Sequence, residues 1–100
     1  MAIVAVSIAP LGVGTSVSRY VAAAEKVLQD KKNIKSHLGP MFTTLEGDLD
    51  EILAAIREMQ EAVFASGAER VSTLIKIDDR RDKLSTMEEK IASVNRRLGV

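Results

Sequence analysis

Between Ala2 and Ala9 the larger aliphatics Val4, Val6 and Ile8 alternate with Ala5, Ser7 and Ala9, which share their side with Ile3. A period of two with one greasy face predicts a β-strand. Pro10, Gly12 and Gly14 break the alternation, and Thr15, Ser16 and Ser18 then offer hydroxyls able to cap a helix. Val17, Tyr20, Val21, Ala24, Val27 and Leu28 recur at three- and four-residue steps, which predicts a helix from about Ser16 to Lys31. The polar run Asp30 to Asn33 ends it.

Two short alternating stretches follow, Ile34 to Leu38 and Met41 to Glu46, with the turn signal Gly39-Pro40 between them. They predict a hairpin. Asp48, with Glu51 three residues on, has the form of a capping box, and Leu49, Ile52, Leu53, Ile56, Met59 and Val63 keep helical spacing up to Gly67, a natural stop. From Arg70 to Asp78, Val71, Thr73, Ile75 and Ile77 alternate with Ser72, Leu74 and Lys76, the longest β-like run. Ser85 with Glu88 repeats the capping-box signal ahead of the stripe Met87, Ile91, Val94, Leu98, and Gly99 follows. The chain therefore reads as one α+β domain over residues 1–100, a ferredoxin-like βαββαβ sandwich with a four-stranded antiparallel sheet and an extra C-terminal helix.

In that topology both crossover helices cover one face of the sheet. The other face then carries Ile3, Ala5, Ser7, Lys35, His37, Phe42, Thr44, Glu46, Ser72, Leu74 and Lys76, a mixture unlike either core or ordinary solvated surface. A chain of 100 residues has one small core, so association through such a face is a natural way to bury more apolar area. A homo-oligomer is expected.

Composition narrows the functions. Hydrophobic residues make up 46% and charged residues 28%, and 14 basic residues balance 14 acidic ones, so nothing draws the chain toward polyanions. The three aromatics Tyr20, Phe42 and Phe64 do not make a base-stacking platform, two of them falling on helices. Nucleic acid is not an expected partner. Cysteine is absent, which removes thiolate chemistry and suits a reducing cytoplasm. The apolar N-terminus lacks a basic leader and no stretch approaches the roughly 20 apolar residues of a membrane span, so no membrane partner is expected.

Candidate chemistry is sparse. The loop Gly12-Val13-Gly14-Thr15-Ser16 opens a helix but lacks the lysine of a phosphate-binding loop, so turn-and-cap geometry explains it. His37 has no serine or cysteine partner, and Asp78, Asp79 and Asp82 are interleaved with Arg80, Arg81 and Lys83, a pattern that predicts ion pairs rather than a metal site. No catalytic residue, metal or cofactor is implied. Thr44 and Glu46, two apart on one strand with Phe42 beside them, combine a hydroxyl, a carboxylate and an aromatic ring. Such a set can hold a small cationic or hydrogen-bonding heteroaromatic ligand.

Pro10-Leu11-Gly12 with Thr15-Ser16-Val17-Ser18 and Tyr20-Val21, then Gly39-Pro40-Met41 with Thr44 and Glu46-Gly47-Asp48, then Arg70-Val71 and Ile75-Lys76-Ile77-Asp78-Asp79-Arg80-Arg81, resemble the UPF0045 family, the thiamine-binding, MTH1187/YkoF-like group. The resemblance spans nearly the whole chain. It implies ferredoxin-like subunits assembled through their sheets into dimers or homotetramers, without catalysis, with thiamine or its hydroxymethylpyrimidine fragment as ligand. Matching motif positions imply Ser16, Thr44 and Glu46 as ligand contacts. The alternative is an ACT-like regulatory or purely structural oligomer that binds an amino acid or no ligand.

Overall fold

The computed structural model describes all of residues 1–100. The chain runs β1 (Ala2–Leu11), α1 (Ser18–Leu28), β2 (Lys35–Leu38), β3 (Thr43–Gly47), α2 (Leu49–Ala65), β4 (Arg70–Asp79) and α3 (Met87–Leu98). The strands form one antiparallel sheet in the order β2-β3-β1-β4, the expected ferredoxin-like arrangement with an added C-terminal helix.

Alternation fixes which face is buried. Val4 pairs with Leu45 and Val6 with Thr43, and these side chains, with Ala2, meet Tyr20, Ala24 and Leu28 of α1 and Ile52, Ile56, Met59 and Val63 of α2 in one core. Asp48 caps α2 as the spacing predicts, its Oδ2 accepting from the Glu51 N–H at 3.1 Å. Arg19 ties the two helices: its guanidinium lies 4.2 Å from the Tyr20 ring centroid and donates to the Ser66 carbonyl at the C-terminal end of α2. A cation at that end is favoured by the helix dipole.

Strand β1 runs on through Pro10 to Leu11 and β3 opens at Thr43 rather than Met41, and three helix boundaries also differ from the sequence reading, two set by backbone bonds and one by a side-chain cap. Helix α1 starts at Ser18 without a side-chain cap, the Val17 carbonyl taking the N–H groups of Tyr20 and Val21, so Thr15 and Ser16 stay outside the helix. It stops at Leu28, where the bonds Gln29 N–H to Lys26 and Lys31 N–H to Leu28 tighten the chain into turns. The cap of α3 is Thr86, whose hydroxyl accepts from Glu89, rather than Ser85.

The inward side of β4 is only half covered. Gln60 of α2 reaches Thr73 at 2.7 Å, but Ile75 and Ile77 remain 38% and 45% exposed, although their ladder partners Val6 and Val4 are covered, because β4 is an edge strand. The outward face carries Ile3, Ala5, Ser7, Thr44, Glu46, Lys35, His37, Ser72, Leu74 and Lys76, as alternation requires. Phe42 departs from that set: it precedes β3, so strand alternation does not govern it, and it lines a cavity beside α1.

Candidate functional site

One row across the open face anchors the C-terminal helix. Lys35, Glu46, Ile3 and Asp78 are register neighbours on β2, β3, β1 and β4. The first turn of α3 sits on this row: the Met87 N–H donates to Glu46 Oε1 at 2.6 Å, Glu88 pairs with Lys35, and Lys90 pairs with Asp78 at 2.6 Å. Glu46 is only 7% exposed. Its carboxylate therefore meets the positive end of a helix, a placement the helix dipole and the free N–H groups both favour.

The paired charges are shifted accordingly. The hydrogen bond from Lys90 holds Asp78 below the usual carboxylate range, and that from Lys35 does the same to Glu88. The Arg80 guanidinium lowers Asp82 to about 2, within the ion-pair cluster predicted from the interleaved charges at 78–83. A depressed folded value means stabilisation that is complete above the unfolded values, about 3.9 for Asp and 4.3 for Glu, and is lost as pH falls through the folded ones. Acidification from pH 5 toward pH 2 is therefore expected to loosen α3 first, with the Arg80–Asp82 pair released last. Amide exchange followed by NMR along that titration checks this: α3 protection should fall while that of β1 and α2 holds, and equal loss everywhere would contradict it.

On the other side of the sheet α1 and the β2–β3 turn enclose a cavity of about 90 Å3, lined in part by Val6, Val21, Leu38, Phe42 and Thr43. Glu25 lines both this cavity and a shallow outer groove that runs past Ser16, Ser18 and Gly39. Thr43 Oγ1 donates to Glu25 Oε2 at 3.0 Å, which fixes the carboxylate and leaves Oε1 without a protein donor. Gly39 roofs the cavity by necessity. Its N–H bonds to the Phe42 carbonyl at 2.9 Å, and a Cβ there would lie 2.6 Å from that same oxygen.

The four residues singled out from sequence thus fall in two places. Ser16 borders the groove and Phe42 the cavity, whereas Thr44 and Glu46 share the opposite face, where Thr44 faces Ala5 and His37 across the ladder. Sequence reasoning missed Glu25 and Thr43. They are 18 residues apart on different elements, and nothing in either local pattern marks the pair. A carboxylate with a free oxygen beside an apolar recess can accept from an amino group or balance a cationic ring whose apolar part enters the recess.

Comparison with known proteins agrees with this architecture. The family model for thiamine-binding protein matches residues 4–95. The UPF0045 protein YqgV of Bacillus subtilis is 50% identical over 102 residues, covering 98% of each chain. The crystal structure of MJ1052 from Methanocaldococcus jannaschii superposes with a TM-score of 0.85 at 45% identity, over 94% of this chain and 96% of that one. A domain of unknown function from Bacillus cereus gives a TM-score of 0.81 at 34% identity, over 90% and 86% of the two chains. A match along almost the whole length, in sequence and in fold together, makes this chain a member of the UPF0045 family of thiamine-binding proteins.

Proposed function

We propose that this chain is a non-catalytic binding protein for thiamine or its hydroxymethylpyrimidine moiety, working in the cytoplasm as a homo-oligomer. The observation that carries the reading is the Glu25 carboxylate, fixed by Thr43 and facing both cavity and groove. An aminopyrimidine supplies N–H donors for the free Oε1, and the thiazolium ring of thiamine adds a permanent positive charge. The recess of about 90 Å3 is smaller than the roughly 150 Å3 that admits a benzene ring, so the ligand extends into the outer groove toward Ser16. Phe42 lines the inner end.

Charge-assisted bonds of this kind contribute about 1.5–3 kcal/mol. Glu25→Gln is therefore expected to weaken thiamine binding by about one to two powers of ten in titration calorimetry, with little change in melting temperature. Binding of amino acids in place of thiamine or the pyrimidine would support the ACT-like regulatory alternative and end this reading. Product analysis after long incubation with thiamine and its phosphates is expected to show no turnover, since His37 is exposed on β2 with Thr44 as its ladder neighbour and no activated nucleophile adjoins the groove.

A further inference from the structure

The cavity beside Phe42 and the groove beside Ser16 meet at a mouth, framed by the four residues that line both: Val21 and Glu25 of α1, Leu38 of β2 and Gly39 of the turn. Glu25 is the one charged group in this frame, and Val21 and Leu38 are its two aliphatic side chains. A ligand that starts in the recess and extends into the groove must cross here.

Leu38 owes its place to the ladder. Its register partner is Thr43, whose side chain is buried on the helix side of the sheet and bonds to Glu25, so Leu38 projects to that same side. On the interior strands such side chains are covered by α1 and α2. Strand β2 is an edge on which no helix packs extensively, and Leu38 stays 59% exposed. A single exposed leucine is ordinary surface. This one is set apart by its frame: ladder bonds hold the backbone before it, and the Gly39 N–H to Phe42 carbonyl bond closes the turn after it. It is presented as a fixed apolar wall, with half-buried Val21 on the helix side of the mouth and a fixed carboxylate beside both.

Two aliphatic walls with one acceptor between them suit a flat ring whose faces are apolar and whose edge donates. The recess of about 90 Å3 admits only a small substituent of such a ring. The donor must lie at the mouth, because Glu25 does. An alkylamine can also reach Glu25, but it has no faces for Val21 and Leu38 to cover.

We propose that Leu38 is a specificity-determining residue of the binding site, closing with Val21 on the amino-bearing ring of the ligand while that ring's N–H bonds to Glu25. The inference rests on the ligand reading above and deepens it, by selecting amino-substituted heteroaromatic rings over aliphatic cations and by naming the ring at the mouth. Titration calorimetry of the full chain with thiamine and with hydroxymethylpyrimidine, alongside melting curves without ligand, is the test. Leu38→Ala should weaken both ligands about tenfold and by the same factor, since both carry the ring placed at the mouth. Leu38→Met, aliphatic and of similar volume, should recover most of the affinity. Leu84→Ala, at a leucine 73% exposed outside cavity and groove, should leave both affinities unchanged. Melting temperatures of the three variants should stay within about 4 °C of the native value, because each site is exposed. Failure of the native protein to bind either ligand would remove the ligand reading and Leu38 with it. Binding weakened by Glu25→Gln but not by Leu38→Ala would keep the site and remove Leu38 from it. Loss for thiamine alone would put the thiazolium ring against Leu38 and overturn the ring placement, and butylamine binding as tightly as thiamine would overturn the selection for a ring. A larger fall in melting temperature for Leu38→Ala would make its role structural and end the assignment.

Discussion

Leu45→Ala is expected to lower the stability of the domain by about 2–5 kcal/mol, the range for deleting a buried leucine side chain where the surroundings relax only partly. Leu45 is fully buried on β3, an interior strand, opposite Val4 on β1, at the layer where the sheet meets α1 and α2. Only 19 of 100 residues are buried, so each core side chain carries a large share of the total. Domains of this size are stable by about 5–15 kcal/mol, and 1 kcal/mol moves their melting temperature by about 4–8 °C. A fall of about 8 °C or more is the expected result, read by thermal and urea melts. Leu74→Ala is the contrast: the side chain is 60% exposed, so the isolated fold should change by no more than about 0.5 kcal/mol. Equal effects of the two substitutions would show that the burial described for β3 and β4 is wrong.

The second large effect is expected at Glu46, and here a structural and a ligand-binding role compete. Its Oε1 accepts the Met87 N–H at 2.6 Å inside the protein, so Glu46→Ala leaves that first N–H of α3 without its acceptor while the Thr86 cap remains. Hydrogen bonds to charged groups are worth about 1.5–3 kcal/mol, and the loss should fall locally on α3. Protection of α3 amides should drop roughly ten- to a hundredfold, while Glu46→Gln, which keeps an acceptor oxygen but no charge, should lose less. Thiamine affinity should stay within about twofold in both variants if the ligand occupies the Glu25 groove. A tenfold loss of affinity in Glu46→Gln with α3 protection intact would instead put the ligand on the open face beside Thr44, the reading that the strand spacing favours. Calorimetry and exchange on the same two variants decide between these.

How the candidate site was partly legible follows from what kind of relation each residue has. Thr44 and Glu46 share a face because a strand alternates with period two, and that is visible from two positions in one segment. Phe42 was misplaced by the same rule, since it lies just outside the strand where the rule ceases to apply. Ser16 was placed at a helix start, close to where it lies, but its hydroxyl caps nothing. Glu25 and Thr43 form the one side-chain bond between α1 and β3 at the cavity, and a contact made by two elements has no local signature.

The sequence by itself determined the element order, the antiparallel ferredoxin-like sheet and the division of each strand into a helix-facing and an open side. These rest on local periodicity, turn residues such as Gly39-Pro40 and caps such as Asp48, all of which act within a few residues. Only the tertiary structure decided that Glu46 receives the N-terminus of α3 rather than standing free, that β4 leaves Ile75 and Ile77 uncovered, and that the α3 stripe, patterned like a core helix, has no core of its own to join. The physical reason is that hydrophobic spacing states which side of an element must be covered. What covers it depends on the packing of distant segments, and past Met87 the α3 stripe stays exposed in this chain.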